Sequence, residues 1–324
     1  DDVDDHADMS KSAVVASDQD VTAERPSARH RLEYMAYRIA RAGLGVLPEF
    51  LAIRLAAALG WLVGVLMRVR RRDVDAHLLQ AFPGRGVAWR RRIARRSYMH
   101  LAREGALLFR MPGWSAAEIA SRVELKDFDA VKEAAAEERG VVLLTAHLGN
   151  WEIAGASIAA SGLPIDVVGK GMANRLFERD LFATREHIGM HVIDMGDAPT
   201  GVLRSLGKGR LAALLGDQNA RHNGVFIPFF GRDASTPRGP AVFALRREAP
   251  VFVGFAIRRA GWSQEYVLEA RRLDFERTGD LEADTRAMLT AYHAILEEAI
   301  MSAPDQYFWQ HRRWKTRPPE EEAV

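Results

Sequence analysis

The 324-residue chain has no cysteine. That excludes disulfides, thiolate zinc sites and a cysteine nucleophile, and it leaves the redox compartment open. It also lacks a Gly-x-Ser-x-Gly elbow, so nothing suggests a covalent serine route. The net charge is only +2, and no nucleic-acid partner is expected. The run LAAALGWLVGVLM, with Glu49 and Arg54 interrupting any extension, falls short of the roughly twenty residues that span a bilayer. It has no small-residue cleavage pattern and starts too far into the chain for a signal peptide. No internal repeat is visible.

What is present is apolar enough for a sizeable core, at 48% hydrophobic residues. The first twenty residues, DDVDDHADMSKSAVVASDQD, are acidic and polar. With the polar stretch after them they read as a disordered tail over residues 1–30. Residues 31–72 read as a membrane-associated helical segment, broken in two by Pro48. Residues 73–324 read as the main α/β domain. Arginines cluster at Arg68, Arg70, Arg71 and Arg72, at Arg90 to Arg96, and from Arg312 to Arg317. Any one such run is an ordinary solvated helix face. Three runs flanking apolar segments point to an anionic membrane surface or a phosphorylated lipid. A helical hairpin lying in the membrane interface is preferred to a tilted single span, and either way the cluster after Met67 is expected on the cytoplasmic side. The plain alternative is an amphipathic helix that caps the core.

Residues 73–110 carry helical spacing, with a turn at Pro83–Gly84. From Gly140 strands and helices alternate. GVVLLTAH, PIDVVGK, MHVIDM and GRLAALLGDQ read as strands, separated by helices over Asn150–Ala160 and Ala173–Glu186. PVFVGFAIRR and QEYVLEARRL read as a later, antiparallel pair, and Leu281–Met301 as a last helix. This order predicts an α/β sandwich around a mainly parallel sheet.

The chemistry-bearing motif is TAHLGNWE, Thr145 to Glu152. A strand runs into His147, a turn follows, and Asn150 caps a helix with Glu152 in its first turn. Residues five apart do not share a helix face, so His147 and Glu152 can meet only if His147 lies in the turn before the helix. Such a pair makes a general base able to deprotonate a hydroxyl, with the N–H groups of the first turn available to an oxyanion. The plain alternative is a helix cap beside a structural histidine. No third ligand stands at helical spacing, so the pair is a weak metal signature.

TAHLGNWE resembles the His-x-x-x-x-Asp/Glu block of the bacterial lipid A biosynthesis acyltransferases. AFPGR, LGDQNARHNGVFIPFFGR with STPRGPAVFALRREAPV, and APDQYFWQHRRWKTRP resemble that family's other blocks, in order from Leu32 to Pro318. The resemblance implies the glycerolipid-acyltransferase α/β fold with membrane-associated N-terminal helices. It also implies transfer of a fatty acyl group from acyl carrier protein thioester to a hydroxyl of a lipid A precursor at the inner membrane, with no metal or organic cofactor because the thioester already activates the acyl group. His147 would be the base and Glu152 its carboxylate partner, and the resemblance carries Arg185 over as an acceptor-binding residue. His77 stands where the family pattern has Asn. Asp217, at the end of a strand, and Lys170 are further substrate-binding candidates; their alternatives are a turn cap and a solvated lysine. Phe226, Pro228, Phe229 and Phe230 wall an acyl channel or belong to the core. Rival readings are an acyltransferase for mannosylated phosphatidylinositol or another lysolipid, a catalytically silent membrane-binding protein of the same fold, and a metal-dependent hydrolase.

Overall fold

The structure, a computed structural model, describes residues 26–319. The expected tail therefore lies largely outside the described residues. Its last part is already helical: Ser27 accepts the His30 N–H and caps α1, Ala28–Val46. Pro48 separates α1 from α2, Glu49–Trp61, which runs on as a π-helical turn to Leu66. Next come α3, Arg71–Ala81, and α4, Val87–Arg110. One face of α2 (Ala52, Ile53, Ala56, Ala57, Gly60) is buried. It lies so close to α4 that a Cβ at Gly60 would strike the Tyr98 carbonyl.

A short helix, α5 (Ala116–Arg122), leads into β1, Val123–Lys126, followed by α6, Asp129–Ala136. The alternating part then comprises β2 (Val141–Thr145), α7 (Trp151–Ala160), β3 (Ile165–Gly169), α8 (Arg175–His187), β4 (Met190–Asp194), α9 (Ala198–Gly207) and β5 (Leu211–Leu215). A hairpin, β6 (Val225–Phe229) and β7 (Arg232–Thr236), stands apart as a two-stranded sheet. α10 (Gly239–Arg247), β8 (Val251–Arg258), β9 (Tyr266–Arg272) and α11 (Leu281–Ser302) follow, and a 3₁₀ turn, Pro304–Gln306, comes after α11.

The large sheet has seven strands in the order β1-β9-β8-β2-β5-β3-β4. All pairings are parallel except β8 with β9. β2 sits mid-sheet and every residue of it is buried, as a strand covered on both faces requires. Its alternate side chains serve two cores. Val142 and Leu144 pack with Leu214, Met288 and Tyr292; Val141 and Leu143 pack with Ile153, Ile158 and Met190. The two-residue strand period produces this split.

The expected strands, their helices and the antiparallel pair are all present. α5, β1, α6, α9, the β6–β7 hairpin and α10 had no counterpart in the sequence reading. The hairpin turns at Phe230 and Gly231, both with positive φ, the conformation of a tight I′-type turn. It absorbs the phenylalanines proposed as a channel wall. Phe229 is fully buried and stacks on Trp314 at 5.5 Å between ring centroids, while Pro228 is exposed. These residues are core and turn.

Candidate active site

β2 and β5 are parallel neighbours with Thr145 opposite Leu215. Two residues past each strand end stand His147 and Asp217, so the register alone sets them side by side. The Asp217 carboxylate accepts twice from His147: from the backbone N–H at 3.0 Å through Oδ2, and from ring Nδ1 at 2.8 Å through Oδ1. Asp217 is 2% exposed. Burial alone would raise its pKa, but the His147 ring and N–H outweigh it and hold the carboxyl below its ordinary range.

An ionised carboxylate only accepts, so Nδ1 carries the hydrogen and the lone pair is on Nε2. Gln218 Nε2 lies 3.2 Å from that atom, and its amide therefore presents N–H to the lone pair. The imidazole sits between Trp151, at 4.8 Å centroid to centroid, and Phe308, at 5.9 Å. The site thus holds an oriented imidazole with an acid at one nitrogen and a lone pair at the other, the makings of a general base.

The turn after His147 is pinned. Gly149 has φ +65°, and a Cβ there would run into the Ala256 carbonyl, so no other residue fits without strain. Its N–H donates to the Gln306 carbonyl at 3.1 Å, and the Asn150 N–H donates to the Ala256 carbonyl at 3.0 Å. Asn150 Oδ1 accepts the Ile153 N–H at 2.9 Å and caps α7, as expected.

Glu152 is in the first turn of α7 and buried, but it is not the carboxylate on His147. Arg185, from the end of α8, grips it with Nε to Oε2 at 3.0 Å and Nη2 to Oε1 at 2.6 Å. The Trp151 indole N–H also donates to Oε1, at 3.1 Å. Burial opposes the Arg185 charge, but Glu152 more than compensates and raises its pKa. The expected His147–Glu152 pairing is therefore replaced by two pairs, His147–Asp217 and Glu152–Arg185, on either side of Trp151. The helix carries Glu152 toward α8, whereas Asp217 arrives from the adjacent strand at the ring's level.

The family model for bacterial lipid A biosynthesis acyltransferases matches residues 22–316. The chain belongs to that family. It is 26% identical over 305 residues to the lipid A biosynthesis lauroyltransferase of Escherichia coli K12, covering 90% of this chain and 96% of the relative. It is 25% identical over 295 residues to the palmitoleoyltransferase of the same organism, covering 87% and 92%. It is also 27% identical over 207 residues to the phosphatidylinositol mannoside acyltransferase of Mycolicibacterium smegmatis, covering 62% and 67%. This lipid A acyltransferase family member is thus an acyltransferase of lipid biosynthesis, and the fold read from its sequence is the one observed.

The remaining candidates fall on both sides. Lys170 is exposed just past β3, and among the described residues no hydrogen bond or ion pair joins it to the His147 cluster. His77 is buried with Nδ1 2.9 Å from the Trp309 carbonyl, and burial lowers its pKa. His311 Nε2 accepts the Asn219 N–H at 2.9 Å. Gln218 was missed as a participant, although it adjoins Asp217 in the Gly-Asp-Gln triplet. Between α7 and the sheet, Trp151, Ala154, Gly155, Ile158, Met190 and Leu215, with the Glu152–Arg185 pair, line a mainly apolar slot that adjoins His147 through Trp151. Its free volume is about 40 Å³, little more than one water occupies.

Proposed function

We propose that the chain transfers a fatty acyl group from acyl carrier protein thioester to a hydroxyl of a lipid A precursor, with His147 as general base. The His147–Asp217 pair carries the reading, because it leaves an oriented imidazole lone pair at Nε2. The acceptor hydroxyl takes the place of the Gln218 amide on Nε2. As its oxygen bonds to the thioester carbon, its proton passes to Nε2, and Asp217 stabilises the imidazolium. Collapse of the tetrahedral adduct breaks the carbon–sulfur bond, and the imidazolium returns the proton to the departing thiolate. The thioester is already activated, so these steps use only side chains of the chain. The Glu152–Arg185 pair beside Trp151 orients the acceptor or donor head. The acyl chain enters the adjoining apolar slot once Trp151 or Met190 swings aside.

Surface composition supports the two partners. Arg91, Arg92, Arg95 and Arg96 are exposed on α4, a basic face suited to an acidic carrier protein. Leu32, Met35 and Ile39 of α1 and Phe50, Leu55, Leu59 and Trp61 of α2 are exposed large apolar residues, which suits a membrane surface. Glu49–Leu66 has mean hydropathy 1.8 over 18 residues, but a third of it is buried against the protein. Glu49 is also held by Arg122 at 2.8 and 2.9 Å. These contacts favour a helix lying in the interface over one that crosses it. The purified protein tests the reading when given acyl carrier protein thioester and either a lipid A precursor or mannosylated phosphatidylinositol. Acylation of the lipid A precursor is expected. Acylation of the mannoside alone would reassign the acceptor, and equal use of acyl-CoA would reassign the donor.

A further inference from the structure

Behind the His147 turn, on the side away from Asp217, lies a buried charged cluster that the reaction above does not use. Glu104, midway along α4, is 5% exposed. Its Oε2 accepts the Asn150 amide N–H at 2.8 Å and the Tyr266 hydroxyl. Its Oε1 lies 3.2 Å from His100 Nδ1 and 3.3 Å from Arg258 Nε. His100 Nε2 stands 3.1 Å from the Gly149 carbonyl. The cluster therefore holds the turn at two points, the Gly149 carbonyl and the Asn150 amide. Capping α7 needs only the Asn150 oxygen, a task serine or aspartate performs equally well. Only the bond to Glu104 requires an amide. A buried carboxylate is a poor source of stability compared with apolar packing, so its presence at this point calls for another role.

We propose that Glu104 and Asn150 are positioning residues that fix the His147 turn, and with it the imidazole, from behind. The inference rests on His147 as the base. Misplacing a catalytic group by about 1 Å costs roughly 10²-fold in rate, so the effect falls on kcat while KM for the donor stays within about twofold.

The test exchanges the polarity of the bond. Asn150→Asp keeps the cap but sets carboxylate against carboxylate. Glu104→Gln forces its new N–H₂ against either the Asn150 N–H₂ or Arg258. Each single variant is expected to lose about 10²-fold in kcat. In the double variant the amide at 104 donates to the carboxylate at 150 and keeps its oxygen toward Arg258 and His100. Its kcat is expected to return to within about tenfold of the parent, a rescue that distant, independent sites do not show. Asn150→Ser, which retains a cap, serves if a carboxylate exchange prevents folding; it should stay folded, with a midpoint lowered by the lost bond to Glu104, and still lose kcat. A folded Asn150→Ser protein with parental kcat, or a folded double variant no better than the worse single one, overturns the inference. His147→Ala run alongside separates the two claims: if it is inactive while Asn150→Ser is fully active, only the positioning role fails. If His147→Ala is active, the base assignment fails.

Discussion

Replacing Asp217 with Asn is the perturbation most specific to the observed geometry. The carboxylate accepts two N–H groups from His147 on its two oxygens. An amide has one oxygen, so one N–H₂ must face either the backbone N–H or ring Nδ1. If it faces the ring, Nδ1 becomes the acceptor and the hydrogen moves to Nε2, where the lone pair is needed. If it faces the backbone, the tautomer survives but the imidazolium loses its counter-charge. Either way general-base assistance is lost, an effect of ~10²–10⁴-fold, or about 3–5 kcal/mol of transition-state stabilisation. The assay is single-turnover acyl transfer at saturating donor and acceptor, with circular dichroism as the folding control. Because His147 and Asp217 act as one unit, the His147→Ala, Asp217→Asn double variant should be hardly slower than His147→Ala alone. A folded Asp217→Asn enzyme within about threefold of the parent would refute the reasoning, since base assistance is worth far more.

Three further outcomes are expected. Glu152→Gln breaks the ion pair with Arg185, whose side chains are 9% and 13% exposed; it should destabilise by about 3 kcal/mol, and its rate loss should multiply with that of His147→Ala. Burial pushes His293 down to about 3 and His311 down to about 4, so the unfolded chain binds more protons between those values and about 6.5. Their stabilisation is complete above about pH 6.5 and is lost as pH falls toward 4 and then 3, each steepening the loss by up to about 1.4 kcal/mol per pH unit; urea denaturation should show this slope, and His293→Gln should flatten it. On α2, Leu55 and Leu59 are 48% and 50% exposed, so Leu55→Glu with Leu59→Glu should move the protein from the membrane to the soluble fraction without changing its thermal midpoint.

The parts of this account that were legible in sequence are local ones. Thr145 to Glu152 announces its own strand, turn and cap because each depends on neighbours within a few residues. β2 and β5 are legible as apolar runs, but nothing in either run says that they lie side by side in register. That adjacency is what gives His147 its acid, 70 residues away in sequence, whereas the family resemblance, through its His-x-x-x-x-Asp/Glu block, pointed to Glu152. Asp217 was picked out as a strand-end carboxylate near the ligand edge, the right place with a different role. Glu104 was invisible for a related reason. It lies on a helix whose arginines dominate its pattern, and only the packing of α4 behind the turn turns it inward. The β6–β7 hairpin escaped because Pro228 and the Phe229–Phe230 pair do not alternate cleanly, and its tight turn uses Phe230 where Asn or Gly is the usual signal.

The central claim is tested most directly in a host that lacks its own late acyltransferase and expresses this chain or its His147→Ala form. Mass spectrometry of the extracted lipid A should show an added mass of one acyl chain with the parent protein, and none with His147→Ala present at equal abundance. An unchanged lipid A mass with abundant, folded parent protein, or the same increment from His147→Ala, would contradict the account.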